Sequence, residues 1–142
     1  MSDQFKIYII CEDLVLGVLL NKILNISLHK PVIVYYKSFS DVKSIREGEN
    51  PGLVILDDII TGSASHEIAN ILRLEKKIKC PVYYLSNAEY GEEKKALYRG
   101  ANYFFRKPFN PDELTQHIID KTSAKPKQVI ITEKEIVNKI LN

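Results

Sequence analysis

The sequence predicts a doubly wound α/β domain in which helices cover both faces of a five-stranded parallel sheet. Five short apolar runs, rich in β-branched and aromatic residues, alternate with longer segments whose apolar residues recur at helical spacing. Several short runs are apolar at successive positions, as in residues 53–56, which is typical of strands covered on both faces. Because right-handed crossovers join successive βα units into one parallel sheet, this alternation predicts a single sheet between two helical layers.

The predicted strands are the five apolar runs, each of which is too short for a typical helix. The clearest predicted helix follows the first run, where apolar residues at i, i+3, i+4 and i+7 indicate one buried stripe. A similar stripe follows the third run. The strands are residues 6–11, 32–37, 53–57, 82–86 and 102–106, and the stripes are Leu16, Leu19, Leu20 and Ile23, then Ala64, Ile68, Ile71 and Leu72.

Several helix starts are marked by capping residues. Ser38 followed by Asp41 predicts a helix start after the second strand, and residues 91–99 form a short, strongly charged helical segment after the fourth. Residues 110–113 (Asn-Pro-Asp-Glu) place an N-cap, a proline at N1 and a glutamate at N3 before the last helix of the domain. The predicted buried residues of that helix are Leu114 and Ile118.

The bulk composition fits one globular domain with a short tail. Of the 142 residues, 45% are hydrophobic and 27% are charged, and the formal net charge is +2. A chain of this size buries enough apolar surface to fold without a disulfide or a structural metal. The nearly balanced charge favours neither nucleic acid nor an anionic membrane as a partner. We expect a domain over residues 1–123, followed by a linker and a short helix over residues 124–142.

Targeting and redox signals are weak in this sequence. No apolar run approaches the roughly 18 residues needed to cross a bilayer, and the polar start lacks the basic region of a signal peptide. We therefore expect a cytoplasmic protein.

Cys11 and Cys80 belong to no CxxC motif or Cys/His cluster, so free buried thiols are expected. The histidines are scattered along the chain, and we assign them no functional role.

Polar residues finish four of the predicted strands. Glu12 and Asp13 follow the first, Asp57 ends the third, Ser86 ends the fourth and Lys107 follows the fifth. In doubly wound folds the ligand crevice lies beyond the carboxyl ends of the strands, so these side chains should converge. Three clustered carboxylates repel one another unless a cation lies among them, and their hard oxygen ligands suit Mg²⁺. A carboxylate beside Mg²⁺ and an ammonium group is suited to accept a phosphoryl group.

With these residues in view, the sequence resembles the receiver domains of response regulators, the CheY-like proteins of two-component signalling. The resemblance covers about residues 5–123 and implies the flavodoxin-like strand order 2-1-3-4-5. It rests on five motifs in the order of the family. They are residues 9–13 (Ile-Ile-Cys-Glu-Asp), 53–57 (Leu-Val-Ile-Leu-Asp), 85–86 (Leu-Ser), 100–101 (Gly-Ala) and 107–109 (Lys-Pro-Phe).

The resemblance implies a specific set of metal ligands and a phosphorylated residue. Glu12, Asp13 and Asp57 would hold Mg²⁺ together with the backbone carbonyl of Ile59, and Asp57 would carry the phosphoryl group. Asp58, the next residue, is expected at the surface, because successive strand residues point to opposite faces.

The resemblance also implies how phosphorylation is sensed. Ser86 and Lys107 would contact the new phosphoryl oxygens, and Phe104 fills the position of a switch aromatic, for which core packing is an equally good interpretation. The Lys107-Pro108 bond is cis in this family. The implied partners are a histidine kinase and a second copy of the chain. The second copy would bind the face formed by the fourth helix, fifth strand and fifth helix.

Three positions depart from the pattern of the family. Asn87 stands where a small residue is usual, Thr61 replaces the usual proline after the third strand, and Glu12 replaces aspartate while keeping its charge. Asn87 favours the alternative of an unphosphorylated pseudo-receiver that acts as a protein-binding module. A flavodoxin-like enzyme or nucleotide binder is disfavoured, because Cys11-Glu-Asp stands where a glycine-rich phosphate loop is needed.

The tail carries a separate helical pattern. After a linker from Ala124, a capping box at Thr132 precedes the apolar residues Ile136, Ile140 and Leu141. This opening is similar to the first helix of DNA-binding effector domains attached to many receivers. DNA is therefore an expected partner only if a longer chain carries such a domain.

Overall fold

The computed structural model describes residues 4–87, 92–127 and 140–141. Between residues 4 and 127, the described residues form five strands of one sheet that alternate with five helices, as the sequence predicts. The strands are β1 (Lys6–Ile10), β2 (Val32–Tyr36), β3 (Leu53–Asp57), β4 (Val82–Ser86) and β5 (Tyr103–Arg106), and the helices are α1 (Leu14–Ser27), α2 (Phe39–Lys43), α3 (Ser65–Leu74), α4 (Glu92–Arg99) and α5 (Pro111–Lys121).

The strands form one parallel sheet in the order β2-β1-β3-β4-β5. This arrangement confirms the predicted doubly wound fold and its strand order. Every residue of the central strand β3 is buried, which explains why its sequence is apolar at successive positions. A short antiparallel hairpin, Ile59–Ile60 with Ser63–Ala64, follows β3 outside the main sheet.

The core consists of one apolar layer on each face of the sheet. Residues of β3 alternate between them: Leu53 and Ile55 belong to one layer, Val54 and Leu56 to the other. α1 and α5 contribute to the first layer, while α3 and α4 contribute to the second. The two layers hold the strands in place, so the polar residues at the strand ends lie at one edge of a rigid sheet.

The buried stripe of α1 differs from the predicted one. Leu19 is 43% exposed and Ile23 is half-buried, whereas Leu16, Leu20 and Leu24 are buried together with Gly17. The cause lies on β2, where the hydroxyl of Tyr35 donates a hydrogen bond to the Gly17 carbonyl at 2.9 Å. Because Gly17 faces the ring of Tyr35, α1 is rotated so that its buried leucines fall at positions i, i+4 and i+8.

The predicted stripe of α3 is only partly confirmed. Ile68 and Leu72 are buried, but Ile71 is half-buried and Ala64 precedes the helix as the last residue of the short hairpin. The remaining buried residues of α3 are Ser65 and Ala69.

Two predicted helix starts are confirmed. The side chain of Ser38 accepts a hydrogen bond from the Asp41 amide at 3.1 Å. Asn110 accepts hydrogen bonds from the amides of Asp112 at 2.9 Å and Glu113 at 3.2 Å, with Pro111 opening α5. Leu114 and Ile118 are buried, as predicted. Gly91 lies outside the described residues, and α4 is described from Glu92.

The start of the predicted linker is fixed to the domain. Ala124 is buried, the His29 amide donates to the Lys125 carbonyl at 2.9 Å, and the Lys127 amide donates to the Ser27 carbonyl at 2.9 Å. The capping box at Thr132 and Ile136 lie outside the described residues. Ile140 and Leu141 are helical and exposed.

Both cysteines are free; Cys11 is buried and Cys80 is half-buried. Within the described part of the chain, no helix is both long enough and apolar enough to span a bilayer.

Candidate functional site

The candidate site lies at the carboxyl edge of the sheet and centres on Asp57. This residue ends β3 and is 1% exposed. The Lys107 Nζ donates to Asp57 Oδ1 at 2.6 Å. Lys107 follows β5, its amide donates to the Ser86 carbonyl at 2.9 Å, and its peptide bond to Pro108 is cis, as predicted. The ends of β3, β4 and β5 therefore meet at one buried ion pair.

The second carboxylate oxygen of Asp57 is a buried atom. Among the described residues, no group donates a hydrogen bond to this Oδ2. Burial raises the pKa of Asp57, although Lys107 opposes the shift. A buried oxygen without a donor is costly, so it marks a place where a ligand could bind.

Asp58 also belongs to the site, and the prediction that it lies at the surface is wrong. Its side chain is 8% exposed. Its Oδ1 accepts from Lys107 Nζ at 2.8 Å, and its Oδ2 accepts from Ser86 Oγ at 2.8 Å and from the Asn87 amide at 3.3 Å. β3 ends at Asp57 and the chain bends at Asp58, so the alternation of a strand no longer applies there.

The two adjacent carboxylates share one ammonium group. Burial alone would raise the pKa of Asp58, but the hydrogen bonds from Lys107 and Ser86 outweigh it and lower the pKa. Burial likewise opposes the charge of Lys107, yet the two carboxylates raise its pKa. Lys107 therefore stays protonated and balances one of the two negative charges.

The predicted acid pair has local partners in this structure. Glu12 is exposed; its Oε2 accepts from the Thr61 amide at 2.6 Å and its Oε1 from the Thr61 hydroxyl at 2.7 Å. These bonds lower the pKa of Glu12. Asp13 caps α1 by accepting from the amides of Val15 at 2.9 Å and Leu16 at 3.3 Å. Thr61 departs from the receiver pattern in the sequence, but no local pattern indicates its two hydrogen bonds to Glu12, 49 positions away.

The donor types of the site suit a hard cation, but they are not gathered into a metal cluster. In the described ranges, no three His, Cys, Asp or Glu side chains lie close enough together to hold a metal ion. The buried Asp57 Oδ2 is an oxygen ligand without another partner. Ile59, whose backbone carbonyl is the other expected ligand, begins the short hairpin after the bend at Asp58. The oxygen ligands expected for Mg²⁺ are therefore of a suitable type, but the described residues do not bring three of these side chains close together.

The two predicted switch residues occupy different environments. Ser86 ends β4 and is fully buried, with its hydroxyl on Asp58. Phe104 is half-buried on β5 and stacks on Tyr84 of β4, with ring centroids 5.9 Å apart. The Tyr84 hydroxyl donates to Glu92 Oε1 in the first turn of α4 at 2.9 Å. Core packing of Phe104 is confirmed, and its role as a switch stays a prediction.

Many of the solved structures that this chain resembles are receiver domains of response regulators, the CheY-like class. A two-component response regulator from Clostridium difficile superposes with a TM-score of 0.73 at 19% identity, covering 82% of this chain and 94% of that one. A CheY-like receiver domain from Methanospirillum hungatei gives a TM-score of 0.73 at 18% identity, over 84% and 94% of the two chains. The BeF3-activated receiver domain of DrrB, a protein of Thermotoga maritima, gives 0.71 at 19% identity, over 82% and 96%.

These similarities establish the fold. No protein-family model matches the sequence, and no curated protein matches it either. The chain therefore has the receiver fold, while its chemistry has to be argued from the side chains at the site.

Proposed function

We propose that the chain is a phosphoacceptor receiver of a two-component system and accepts its phosphoryl group on Asp57. The observation that carries the proposal is the buried Asp57 carboxylate, which has one oxygen on Lys107 and the other without a hydrogen-bond donor among the described residues. An acceptor needs an oxygen that can approach phosphorus and a cation that offsets the charge of the phosphoryl oxygens. Lys107 supplies the cation, and Oδ2 is the oxygen that would attack once a phosphodonor reaches the buried carboxylate.

The phosphoryl transfer would be a displacement reaction at phosphorus. An Asp57 oxygen would form a new P–O bond while the P–N bond of a phosphohistidine on a partner kinase breaks and its electron pair stays on the released imidazole. With a small acyl phosphate, the P–O bond breaks and a carboxylate leaves. Lys107 and Ser86 would donate hydrogen bonds to the phosphoryl oxygens. The chain would thus catalyse only its own phosphorylation and dephosphorylation.

Magnesium belongs to the same proposal. Asp13, Asp57, Glu12 and the Ile59 carbonyl would hold it, and it would supply positive charge beside the phosphoryl oxygens. Binding would require Glu12 to exchange its hydrogen bonds with Thr61 for a role at the metal. Asp13 keeps its capping role through Oδ1, and its other oxygen is the one suited to the cation.

The output would be a change in binding. Phe104, Tyr84 and Glu92 link the sheet to the start of α4, so a rearrangement near Ser86 could reach that helix through packed side chains. Tyr98 on α4 is 89% exposed, which suits a contact with a second copy or a target on the face of α4, β5 and α5. We place these events in the cytoplasm, with a histidine kinase as the phosphodonor and DNA as a partner only through an attached effector domain.

The test is phosphoryl uptake from acetyl phosphate with Mg²⁺, followed by intact-protein mass and phosphate-affinity electrophoresis. The parent should gain one phosphoryl group, and Asp57→Asn should gain none. Asp120→Asn, which alters an exposed carboxylate on α5, is the matched control and should behave as the parent. Uptake by Asp57→Asn equal to that of the parent would refute the proposal.

An unphosphorylated pseudo-receiver is the second candidate, and Asp58 is the observation that favours it. Asp58 already accepts hydrogen bonds from Ser86, Asn87 and Lys107. A folded parent that takes up no phosphoryl group from acetyl phosphate or from a kinase, yet still binds a protein partner, would establish this alternative.

A further inference from the structure

Three hydrogen-bond donors from two strand ends converge on the carboxylate of Asp58. They are the Ser86 hydroxyl at 2.8 Å, the Asn87 amide at 3.3 Å and the Lys107 ammonium at 2.8 Å. A hydroxyl, a backbone amide and an ammonium around one pair of oxygens form an anion-binding arrangement. In this chain the anion is a side chain of the protein itself.

The same donors lie beside the proposed phosphorylation site. The Lys107 ammonium contacts both Asp57 Oδ1 and Asp58 Oδ1, so the two carboxylates share this donor, while the Ser86 hydroxyl and the Asn87 amide contact Asp58. A phosphoryl group on Asp57 would bring further negative charge, about −1.5 to −2 at neutral pH, and would need those donors. It cannot share all of them with Asp58, since like charges at hydrogen-bonding distance repel strongly in a buried site.

We propose that Asp58 is an internal ligand that occupies the phosphoryl-binding donors Ser86, Asn87 and Lys107 and competes with a phosphoryl group on Asp57. The proposal rests on the proposed phosphoacceptor function and adds a positioning residue to it. Asp58 lowers the affinity of the pocket for a phosphoryl group, and phosphorylation requires its carboxylate to leave the donors.

Two variants distinguish the effect of the Asp58 charge on probe binding from the effect of the shape of its side chain. Asp58→Ala removes the competing carboxylate, and Asp58→Asn keeps its shape and one acceptor oxygen but removes the charge. The probe is beryllofluoride with Mg²⁺, because a BeF3-activated receiver domain is among the similar structures. Binding is followed by ¹⁹F signals and by the backbone amide signals of Ser86 and Asn87. Asp120→Ala is the control for loss of a carboxylate, since Asp120 is exposed near the end of α5.

The expected result is tighter beryllofluoride binding in the Asp58 variants. Loss of one charge-assisted competitor should tighten it about tenfold in Asp58→Ala, with a smaller gain in Asp58→Asn. Without any probe, the Asn87 amide signal should move in Asp58→Ala and stay in place in Asp120→Ala. A purely structural role would lower the melting temperature without tightening the binding.

The outcomes for Asp58 and for the proposed function can be told apart. If the parent binds beryllofluoride and folded Asp58→Ala and Asp58→Asn bind it no more tightly, the competition is refuted while the phosphoacceptor function stands. If neither parent nor variants bind the probe, the phosphoacceptor function fails. In that case the Asn87 amide decides whether Asp58 holds the donors: a shift in Asp58→Ala supports the contact, and an unchanged signal overturns it.

Discussion

At the scale of single residues, the site is governed by one cation between two buried carboxylates. Lys107 contacts Asp57 at 2.6 Å and Asp58 at 2.8 Å, and the two acids differ in their remaining partners. Asp58 has two further donors, whereas Asp57 keeps a buried oxygen without one in the described part of the chain. Asp58 is therefore the better stabilised anion, and Asp57 is the one left with an oxygen for chemistry.

Lys107→Met should destabilise the domain by about 3 kcal/mol at neutral pH, because it leaves two buried carboxylates without their cation. Without Lys107, the pKa values of Asp57 and Asp58 rise in the folded state. A group whose pKa is higher in the folded than in the unfolded state stabilises the fold at pH values below its unfolded pKa. This stabilisation is lost as the pH rises through the folded pKa. The deficit should therefore be large at neutral pH and shrink on acidification.

Urea denaturation near neutral pH and near pH 4 measures this dependence, the lower value being close to the ordinary pKa of aspartate at about 3.9. Lys22→Met, an exposed position on α1, is the control and should change stability little at either pH. A deficit for Lys107→Met that is equal at both pH values would contradict the electrostatic account.

At the scale of elements, helix starts are determined by short capping motifs, while helix orientation depends on distant packing. Asn110 satisfies two backbone amides at the start of α5 through its side chain. The orientation of α1 instead depends on Tyr35, 18 positions from Gly17, whose hydroxyl reaches the Gly17 carbonyl. Local motifs therefore locate the ends of a helix, but not the face that it buries.

Asn110→Ala should lower the free energy of unfolding by about 1 kcal/mol, because the amides of Asp112 and Glu113 lose their acceptor. Equilibrium urea denaturation measures the loss. Asn110→Ser, which preserves a capping oxygen, should recover most of the stability. If Asn110→Ala and Asn110→Ser prove equally stable, the cap contributes nothing to α5.

At the scale of the whole molecule, two apolar layers fix the sheet, and the segment after α5 closes on the end of α1. Ala124 is buried, and Leu28 pairs with Pro126 in an isolated antiparallel bridge. Residues 124–127 are thus attached to the opposite end of α1 from the Asp13 cap. Residues 124–127 therefore contact the folded body directly after the predicted boundary at residue 123.

A chain ending at Lys127 should therefore be more stable than one ending at Ser123, by about 1 to 2 kcal/mol for the added backbone hydrogen bonds and the burial of Ala124. Thermal and urea unfolding of the two truncated chains would measure the difference. Equal stability would show that residues 124–127 behave as the linker that the sequence predicts.

The sequence by itself determined the order of strands and helices, the ends of β3, β4 and β5, and the positions of Asp57, Ser86 and Lys107 at or just beyond them. These follow from local patterns, because hydrophobic periodicity and capping motifs act over a few residues. Only the tertiary structure decided the role of Asp58. Its donors lie 28 to 49 positions away, and its side chain turns inward because β3 ends one residue earlier. No local pattern encodes a contact that depends on where three strands end relative to one another.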